Sequence, residues 1–391
     1  MKKVLVTDSE SRKALCAVRN LGTYGYQVFA GSDKKINMSR SSKYCTGFVR
    51  LPNKTDENSY INKLKKTIKE HSIDVLMPME DETVELIISN KELFEDTHTL
   101  LPDYDTFMIA RDKGKTVKKA IKHGLSSPKT YFMENIRDLE LSISEIEFPV
   151  IIKPRLSSGS RGLAYVENED QLLSKYREIH KDHPLPIIQQ YVTGNFEKIQ
   201  VLVIFDTNHE LKGVCTYQGI REFPIDGGPV TLWKTVSLPE LENKTIKFMK
   251  QINWTGFAEV EFIVDHKTGE YFLMEINPRF SANIALAVQL GIEFPIIYTK
   301  LALQERVSLK GNDRYERYCQ WLIPGDLLNF ILNKKRYRQE IGYFFNKPKN
   351  LYYAILSKRD FKPVLIHILS IFLNIFGNLK NLKAKLSSSK R

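Results

Sequence analysis

The first hundred residues alternate between short apolar runs and stretches in which apolar residues recur every three or four positions. Short apolar runs predict strands, and the longer spacing predicts helices with one buried face. The elements predicted in chain order are a strand over 3–7, a helix through Leu15, Val18 and Leu21, a strand over 27–30, a helix over 57–71 and a strand over 74–78. This order of strands and helices predicts a small parallel α/β unit.

The pattern changes near residue 103, where strands become more frequent than helices. A helix is predicted to begin near Arg111 and to end at the turn 124–128, and another covers 169–180. Strands are predicted over 148–153, 163–166, 187–192, 198–205 and 211–218, followed by a hairpin over 257–276. We therefore predict an α/β chain whose second part is an α+β domain. The turn at 7–11 has no G-x-G-x-x-G pattern, so we predict no dinucleotide site there.

Composition limits the class of protein. A chain of 391 residues is long enough for two or three domains, and its 42% hydrophobic and 11% aromatic content is typical of a packed globular protein. The four cysteines form no C-x-x-C pair, which argues against a disulfide framework or a zinc site. The N-terminus turns polar after four apolar residues, so we expect no signal peptide and a cytoplasmic location.

Positive charge is concentrated at the C-terminal end. The net charge of the chain is +12, and the span 333–391 carries fourteen Lys or Arg against two acidic residues, which accounts for all of it. The rest of the chain is neutral. A partner that binds through charge should therefore contact this segment.

The hairpin over 257–276 carries two glutamates in strands that otherwise resemble buried ones. Side chains alternate along a strand, so Glu275 and Asn277 share a face. If Asp265 pairs with Tyr271 across a five-residue loop, Glu261 lies directly opposite Glu275, whereas a four-residue loop leaves the two glutamates diagonal. Two neighbouring buried carboxylates repel each other. An exposed strand face with solvated acids is the alternative for the hairpin alone.

A divalent cation would remove this repulsion. Mg²⁺ prefers oxygen ligands and commonly takes one or two carboxylates together with the phosphates of a substrate. Asn277 adds a neutral oxygen, and Arg279 adds a fixed cation beside the predicted metal site.

A second group of residues indicates an anion site. Lys153 ends an apolar strand and precedes the Ser/Gly loop 157–162, whose backbone N–H groups are suitable donors to phosphate oxygens. Lys113, the strand 187–192 and the polar loop that begins at Arg221 are weaker candidates. Each has an ordinary alternative, which is a solvated helix face, a core strand and a hairpin connection respectively.

Taken in order, these motifs resemble the ATP-grasp superfamily. The matching pieces are Asp112-Lys113, FPVIIKP over 148–154, QQYV over 189–192, EVEF over 259–262 and MEINPR over 274–279. The resemblance covers roughly 100–305 and is greatest to carbamoyl-phosphate-synthase-like carboxylate–amine ligases. The chain departs from the pattern at Gln189, where many members have Glu, and in a loop that has only two glycines.

The resemblance implies a domain organisation. A Rossmann-like pre-ATP-grasp domain is expected over 1–100 and a two-lobed ATP-grasp domain over 101–310. The lobes would divide at about 185, into about 101–185 and about 186–310. A basic, amphipathic helical region would occupy 311–391.

The resemblance also implies roles for individual residues. Arg279, Lys153 and Arg221 would act in catalysis, and Glu261, Glu275 and Asn277 would hold one or two Mg²⁺ ions, with Mn²⁺ as a substitute. ATP would be bound by Lys113, Lys153, Ser157, Ser158, Gly159, Ser160, Gly162, Gln189, Gln190, Tyr191, Val192 and Glu197, the last of these at the ribose.

The implied reaction is an ATP-dependent ligation that activates a carboxylate as an acyl phosphate and couples it to an amine. The alternatives are a catalytically silent nucleotide-binding regulator and a carbamoyl-phosphate-type synthesis. Intact metal and arginine positions argue against the first, and a single ATP-grasp unit argues against the second. The acid, the amine, the pathway and the oligomeric state are left open.

The C-terminal region indicates where the protein works. Its apolar run at 363–376 is too short and interrupted to span a bilayer, but apolar residues recur on one face from Leu365 to Leu386. A helix packed on the protein's own core or in a homodimer is one interpretation. An interfacial helix on an anionic membrane through 333–391 is another, with a cell-surface glycan or lipid-linked precursor as substrate and a peripheral location on the inner face. Nucleic acid is the least favoured partner.

Overall fold

The computed structural model describes residues 1–157, 159, 161–192, 196–224, 228–265, 268–310, 316–332, 348 and 350–373. The chain forms two compact units, one of residues 1–99, 282–285 and 353–391, and the other of 100–281 and 286–352. The predicted bounds of the three functional regions stay a prediction. No helix in the described ranges is long and apolar enough to cross a bilayer.

The first unit contains a four-stranded parallel sheet in the order β3-β2-β1-β4. Its strands are β1 (Lys3–Val6), β2 (Gln27–Ser32), β3 (Gly47–Arg50) and β4 (Val75–Met77). Its helices are α1 (Arg12–Thr23), α2 (Met38–Ser41), α3 (Glu57–His71) and α4 (Asp81–Ser89), followed by a single 3₁₀ turn, Lys91–Phe94. The predicted parallel α/β unit is confirmed.

Local capping explains why α3 occupies the residues that the sequence predicts. Asp56 accepts a hydrogen bond from the backbone N–H of Ser59 and so satisfies one free donor of the first turn. Ser72 ends the helix in the left-handed conformation, with φ of 52°. Tyr60, Leu64 and Ile68 face the core at helical spacing.

The second unit contains two further sheets. The smaller sheet has the order β5-β8-β6-β7, and the larger has the order β13-β12-β9-β10-β11-β14-β15. The strands are β5 (Thr130–Tyr131), β6 (Val150–Lys153), β7 (Ala164–Val166), β8 (Ile187–Gln190), β9 (Phe196–Phe205), β10 (Leu211–Glu222), β11 (Val230–Thr235), β12 (Gly256–Asp265), β13 (Tyr271–Asn277), β14 (Tyr318–Gln320) and β15 (Leu351–Tyr353).

Helices cover these sheets and connect their strands. They are α5 (Tyr104–Arg111), α6 (Lys113–Lys122), α7 (Ile136–Ser142), α8 (Glu169–Asp182), α9 (Pro239–Gln251), α10 (Ile284–Gln289), α11 (Phe294–Ala302) and α12 (Leu327–Leu332), with a 3₁₀ turn at Ile143–Glu145 and an irregular helical turn at Leu322–Asp326.

Each sheet of the second unit has one face in a hydrophobic core. In the smaller sheet, Val150, Ile152, Val166 and Ile188 pack against α7 and α8. In the larger sheet, alternate residues of β9, β12 and β13 pack against α9 and against the α5–α6 pair. The opposite face of each sheet is therefore the one that can carry polar side chains.

Candidate functional site

The two glutamates of the hairpin lie directly opposite each other. Glu261 of β12 pairs with Glu275 of β13, as predicted, but the register that predicted this pair is wrong. Val264, and not Asp265, pairs with Tyr271, and a β-bulge between the pairs of Glu261 and Phe262 adds one residue to β13. Pairing of Val264 with Tyr271 would by itself place Met274 opposite Glu261, and the extra residue at the bulge restores the facing pair of glutamates.

Amide groups surround the carboxylate of Glu261. Its Oε1 accepts hydrogen bonds from Asn277 Nδ2 at 2.9 Å and from Gln200 Nε2 at 3.1 Å. Asn277 Nδ2 also lies 3.5 Å from Glu275 Oε1. Arg279 Nη2 donates to Asn277 Oδ1 at 3.1 Å, so the amide NH₂ of Asn277 faces the carboxylates. A cation bound through Asn277 Oδ1 would require the amide to turn over.

Burial and neighbouring charges shift the pKa values of the two carboxylates in opposite directions. Burial raises the pKa of Glu261, and the neighbouring charges of Glu275 and Glu259 raise it further. Burial also acts to raise the pKa of Glu275, but the ammonium of Lys113 outweighs it, and the pKa is lowered. Glu275 is therefore the fixed anion, and Glu261 is the carboxylate that would gain most from a nearby cation.

Lys113 connects the hairpin to the Ser/Gly loop. Its Nζ lies 3.1 Å from Glu275 Oε2 and also donates to the backbone oxygen of Ser157 in the Ser/Gly loop. Asp112 caps α6 by accepting hydrogen bonds from the N–H groups of residues 114 and 115. It also forms a bidentate ion pair with Arg155. The cap and the ion pair hold Lys113 at the first position of the helix. Arg155 was not predicted as a site residue, although it lies two residues beyond Lys153.

Lys153 is the second buried cation of the site. It ends β6 at 8% exposure, and its Nζ donates to Gln189 Oε1 at 2.6 Å. Gln189 Nε2 in turn donates to Thr130 Oγ1 at 2.9 Å, so the amide of Gln189 holds the lysine rather than facing open space. Burial lowers the pKa of Lys153 to about 8, Lys113 adds to this effect, and Glu275 and Glu261 oppose it.

An apolar face adjoins these cations. Tyr165, Ile151 and Gln189 pair across the three neighbouring strands of the smaller sheet and therefore share the face on which Lys153 lies. Tyr165 is 46% exposed and contacts Tyr191 edge to face, with ring centroids 5.2 Å apart. Tyr165 was not predicted as a site residue. An aromatic residue in the strand after a Ser/Gly loop is the only signal the sequence contains for it.

The Ser/Gly loop is shaped by glycines in the left-handed region. Gly159 has φ of 64° and Gly162 has φ of 74°. A Cβ on Gly162 would come within 2.9 Å of Pro154 Cγ, whereas the space around Gly159 is open. Ser157 is buried, and Ser158 and Ser160 lie outside the described residues.

Among the described residues, four further ones predicted to bind ATP, Gln190, Tyr191, Val192 and Glu197, lie away from the charged cluster or have no side-chain contact with it that decides their role. Glu197 pairs with Val264 on the core face of β9, opposite the face of Glu261. Lys198 lies on the site face instead, where it forms an ion pair with Glu222.

Gln190 shares a face with Val150, and the backbone N–H of Tyr191 donates to the oxygen of residue 149. Val192 is half-buried. The roles of these four residues in ATP binding stay predictions.

Arg221 lies in a buried ion pair that the sequence did not predict. Its Nη2 is 2.8 Å from Asp326 Oδ2, and the two side chains are 6% and 1% exposed. Asp326 also accepts hydrogen bonds from Thr231 and Gln320, which lie on two neighbouring strands. The turn at Leu322–Asp326 thus fixes Arg221 at the end of β10. A catalytic role for Arg221 stays a prediction.

Comparison with protein families identifies the region that carries the site. The family model of the carbamoyl-phosphate synthase L chain, ATP binding domain, matches residues 110–310. The carbamoyl phosphate synthase large chain of Pasteurella multocida is 27% identical over 243 residues, and acetyl-CoA carboxylase 1 of Arabidopsis thaliana is 26% identical over 147. The alignments cover 59% and 36% of this chain but only 22% and 6% of those relatives.

Solved structures with the same fold cover most of the chain. N5-carboxyaminoimidazole synthetase of Staphylococcus aureus matches with a TM-score of 0.67 and 14% identity, over 89% of this chain and 90% of that one. L-amino acid ligase of Bacillus licheniformis matches at 0.60 and 15%, over 78% and 75%. The biotin carboxylase domain of Hydrogenobacter thermophilus 2-oxoglutarate carboxylase, solved with MgADP and bicarbonate, matches at 0.65 and 17%, over 81% and 73%.

Proposed function

The chain belongs to the carbamoyl-phosphate synthase L chain ATP-binding family, with the ATP-grasp fold that its motifs predict, and we propose that it is an ATP-dependent carboxylate–amine ligase. In this proposal it activates a substrate carboxylate as an acyl phosphate, couples the acyl group to an amine, and releases ADP and phosphate. The family model covers the region in which the site residues lie.

One observation carries the proposal. Buried Lys113 of α6 and Lys153 of β6 converge with the half-buried, facing pair Glu261 and Glu275, so that the four charged groups come from four separate elements. Charged groups held this close and only partly open to solvent form a site that a charged ligand can complete. A nucleotide triphosphate with its metal supplies both the negative and the positive charge that such a cluster needs.

The donor set fits Mg²⁺. In the described part of the chain, no group of three or more His, Cys, Asp or Glu forms a metal cluster, so the protein would offer Glu261, Glu275 and Asn277 and leave the remaining positions to phosphates and water. Bound there, the metal would neutralise charge on the phosphates. Mn²⁺, which accepts the same oxygen ligands, is the proposed substitute.

In the first step, the substrate carboxylate oxygen attacks the γ-phosphorus of ATP, and the bond to the β–γ bridging oxygen breaks to release ADP. Lys113 and Lys153 would hold the phosphate oxygens in line for this transfer. Arg279, whose Nη1 donates to the backbone oxygen of Phe280 at 3.2 Å, would stabilise the transferred phosphoryl group.

In the second step, the amine nitrogen attacks the acyl carbon, the bond to phosphate breaks, and the ammonium proton is lost to solvent. The acyl phosphate must be protected from water until the amine arrives. The loop around Gly159 and Gly162 would provide this protection by closing over the phosphates.

Glu275→Gln tests the metal assignment, because it removes the charge but keeps the shape. We expect the loss of heat on titration with MgATP and a decrease in ADP release of at least about 100-fold. Glu240→Gln, an exposed i,i+4 partner of Lys244, is the matched control. Undiminished MgATP binding by the Glu275→Gln variant would refute the proposal.

A panel of carboxylates and amines identifies the substrates by ADP release. We propose that one substrate is part of a cell-surface glycan or lipid-linked precursor, that the protein acts in the cytoplasm at the inner face of the membrane, and that it forms a homodimer. The basic segment 333–391 supports the membrane location. MgATP binding without turnover of any pair in the panel would favour the regulatory alternative.

A further inference from the structure

The apolar stripe that the sequence places on the C-terminal helix faces away from the protein. Residues 362–373 are helical, and Pro363 and Val364 are buried on the inner side. The outer side carries large apolar residues at positions i, i+4, i+7 and i+8, namely Leu365 (54% exposed), Leu369 (45%), Phe372 (56%) and Leu373 (46%). The described part of this helix therefore does not use its apolar stripe to pack on the protein's own core.

A buried ion pair fixes the start of this helix. Asp360 is 4% exposed and accepts hydrogen bonds from Arg19 Nε at 2.9 Å, Ser42 Oγ at 2.6 Å and the backbone N–H of Lys43 at 3.0 Å. Arg19 also donates to the backbone oxygens of Asp360 and Ile355. All of these residues belong to the first unit. This ion pair fixes the chain two residues before the helix, and the exposed side chains of the stripe take no part in it.

The charge beside the stripe has one sign. Lys358, Arg359 and Lys362 precede or begin the helix, and the span 374–391 adds five Lys or Arg and no acidic residue. Asp360, the single acid of this region, is neutralised in the interior by Arg19. Phe361, 51% exposed, extends the apolar surface toward the basic residues.

We propose that this surface is an interfacial anchor that binds an anionic lipid bilayer, with the helix lying in the plane of the headgroups. An apolar stripe next to Lys and Arg, on a helix whose described part is too short to span a bilayer, is the arrangement that inserts side chains below anionic headgroups. The inference specifies the surface behind the proposed membrane location but does not depend on the ligase chemistry.

A second copy of the chain is a poorer occupant. A two-fold contact through these helices would bring together two copies of the sequence span 358–391, which carries eight Lys or Arg and one acidic residue. Like charges would then oppose the apolar contact, whereas anionic lipid headgroups complement them. The bilayer therefore satisfies both the charge and the apolar stripe.

Co-sedimentation with vesicles tests the proposal. Full-length protein should bind phosphatidylglycerol-containing vesicles at low salt, and binding should fall at high salt and on pure phosphatidylcholine. The double variant Leu369→Glu/Phe372→Glu should lower the partition coefficient by at least about tenfold. Leu141→Glu, which changes a 74% exposed leucine of α7, is the control and should bind like the wild type.

Two outcomes would overturn the proposal. One is vesicle binding unaffected by the double variant. The other is a wild type that binds no vesicles and elutes as a dimer, together with a double variant that elutes as a monomer. That result would assign the stripe to a second copy. Because both substituted positions are exposed and lie in the first unit, MgATP binding should persist in the variant. Loss of MgATP binding by Glu275→Gln alone therefore tests the ligase proposal separately.

Discussion

Lys153 lies at the end of β6 with its ammonium on the amide oxygen of Gln189, and only 8% of the residue is exposed. Burial disfavours the charged form of a lysine, so the pKa falls from 10.5 to about 8. Lys153 thus remains mostly charged near neutral pH, but loses its proton in a range where an exposed lysine does not. The partner at position 189 is a neutral amide, so it leaves this shift in place.

The affinity for MgATP should therefore fall at alkaline pH. ATP binds the protonated form of Lys153, so affinity should be constant below the pKa and fall by about tenfold per pH unit above 8. In Lys153→Arg the guanidinium stays charged, and this fall should be absent even if overall affinity is lower. Calorimetric titrations from pH 7 to pH 10 would measure it, with Lys129→Arg as an exposed control. Parallel pH profiles for the wild type and Lys153→Arg would contradict it.

At the scale of the element, strand pairing in the hairpin decides which side chains face each other. Glu261 and Glu275 face each other because β13 contains one extra residue at the bulge. Without that residue, Glu261 would pair with Met274, and the side chain of Glu275 would turn to the other face. The proposed metal site therefore depends on an irregularity of the sheet as much as on the two acids.

The Ser/Gly loop gives a test at the same scale. Both glycines have a positive φ, so an alanine at Gly159 or Gly162 must adopt the left-handed conformation, which costs about 1 kcal/mol. At Gly162 the new Cβ also collides with Pro154, so Gly162→Ala should lose more unfolding free energy than Gly159→Ala and raise the KM for ATP. Urea denaturation and ADP-release kinetics measure both effects. Equal losses in the two variants would show that the loop moves freely away from Pro154.

At the scale of the molecule, the proposed nucleotide site and the basic C-terminal segment lie in different parts of the chain. Residues 1–332, which are neutral overall, contain the proposed nucleotide site. Of the basic C-terminal span, residues 353–373 belong to the first unit, to which Asp360 ties them through Arg19. The residues of this ion pair are 341 positions apart in sequence. The C-terminal segment is therefore part of the folded first unit at least as far as residue 373.

Breaking this tie should destabilise the protein. Asp360→Asn leaves the guanidinium of Arg19, with 16% of its side chain exposed, without its carboxylate, and we expect a loss of about 2–4 kcal/mol in unfolding free energy. The control Glu240→Gln removes an exposed pair and should change stability by less than about 0.5 kcal/mol. Thermal and urea unfolding would measure both. A stability for Asp360→Asn equal to that of the control would mean that the ion pair does not anchor the helix.

The sequence alone determined the features that depend on local patterns. Helix α3 and the parallel sheet follow from apolar spacing and capping, and the motifs around Lys113, Lys153, Glu261 and Glu275 were sufficient to indicate the fold and the cofactor. Such features are readable because spacing along one strand or helix sets which side chains share a face.

The tertiary structure decided everything that depends on which strands and surfaces meet. It placed Glu197 on the core face, introduced Tyr165, Arg155 and Asp326 beside predicted residues, and turned the apolar stripe of the C-terminal helix outward. A bulge, an ion pair between distant residues and the choice of which helix face to bury leave no periodic signal, because their energies come from contacts between segments far apart in the chain.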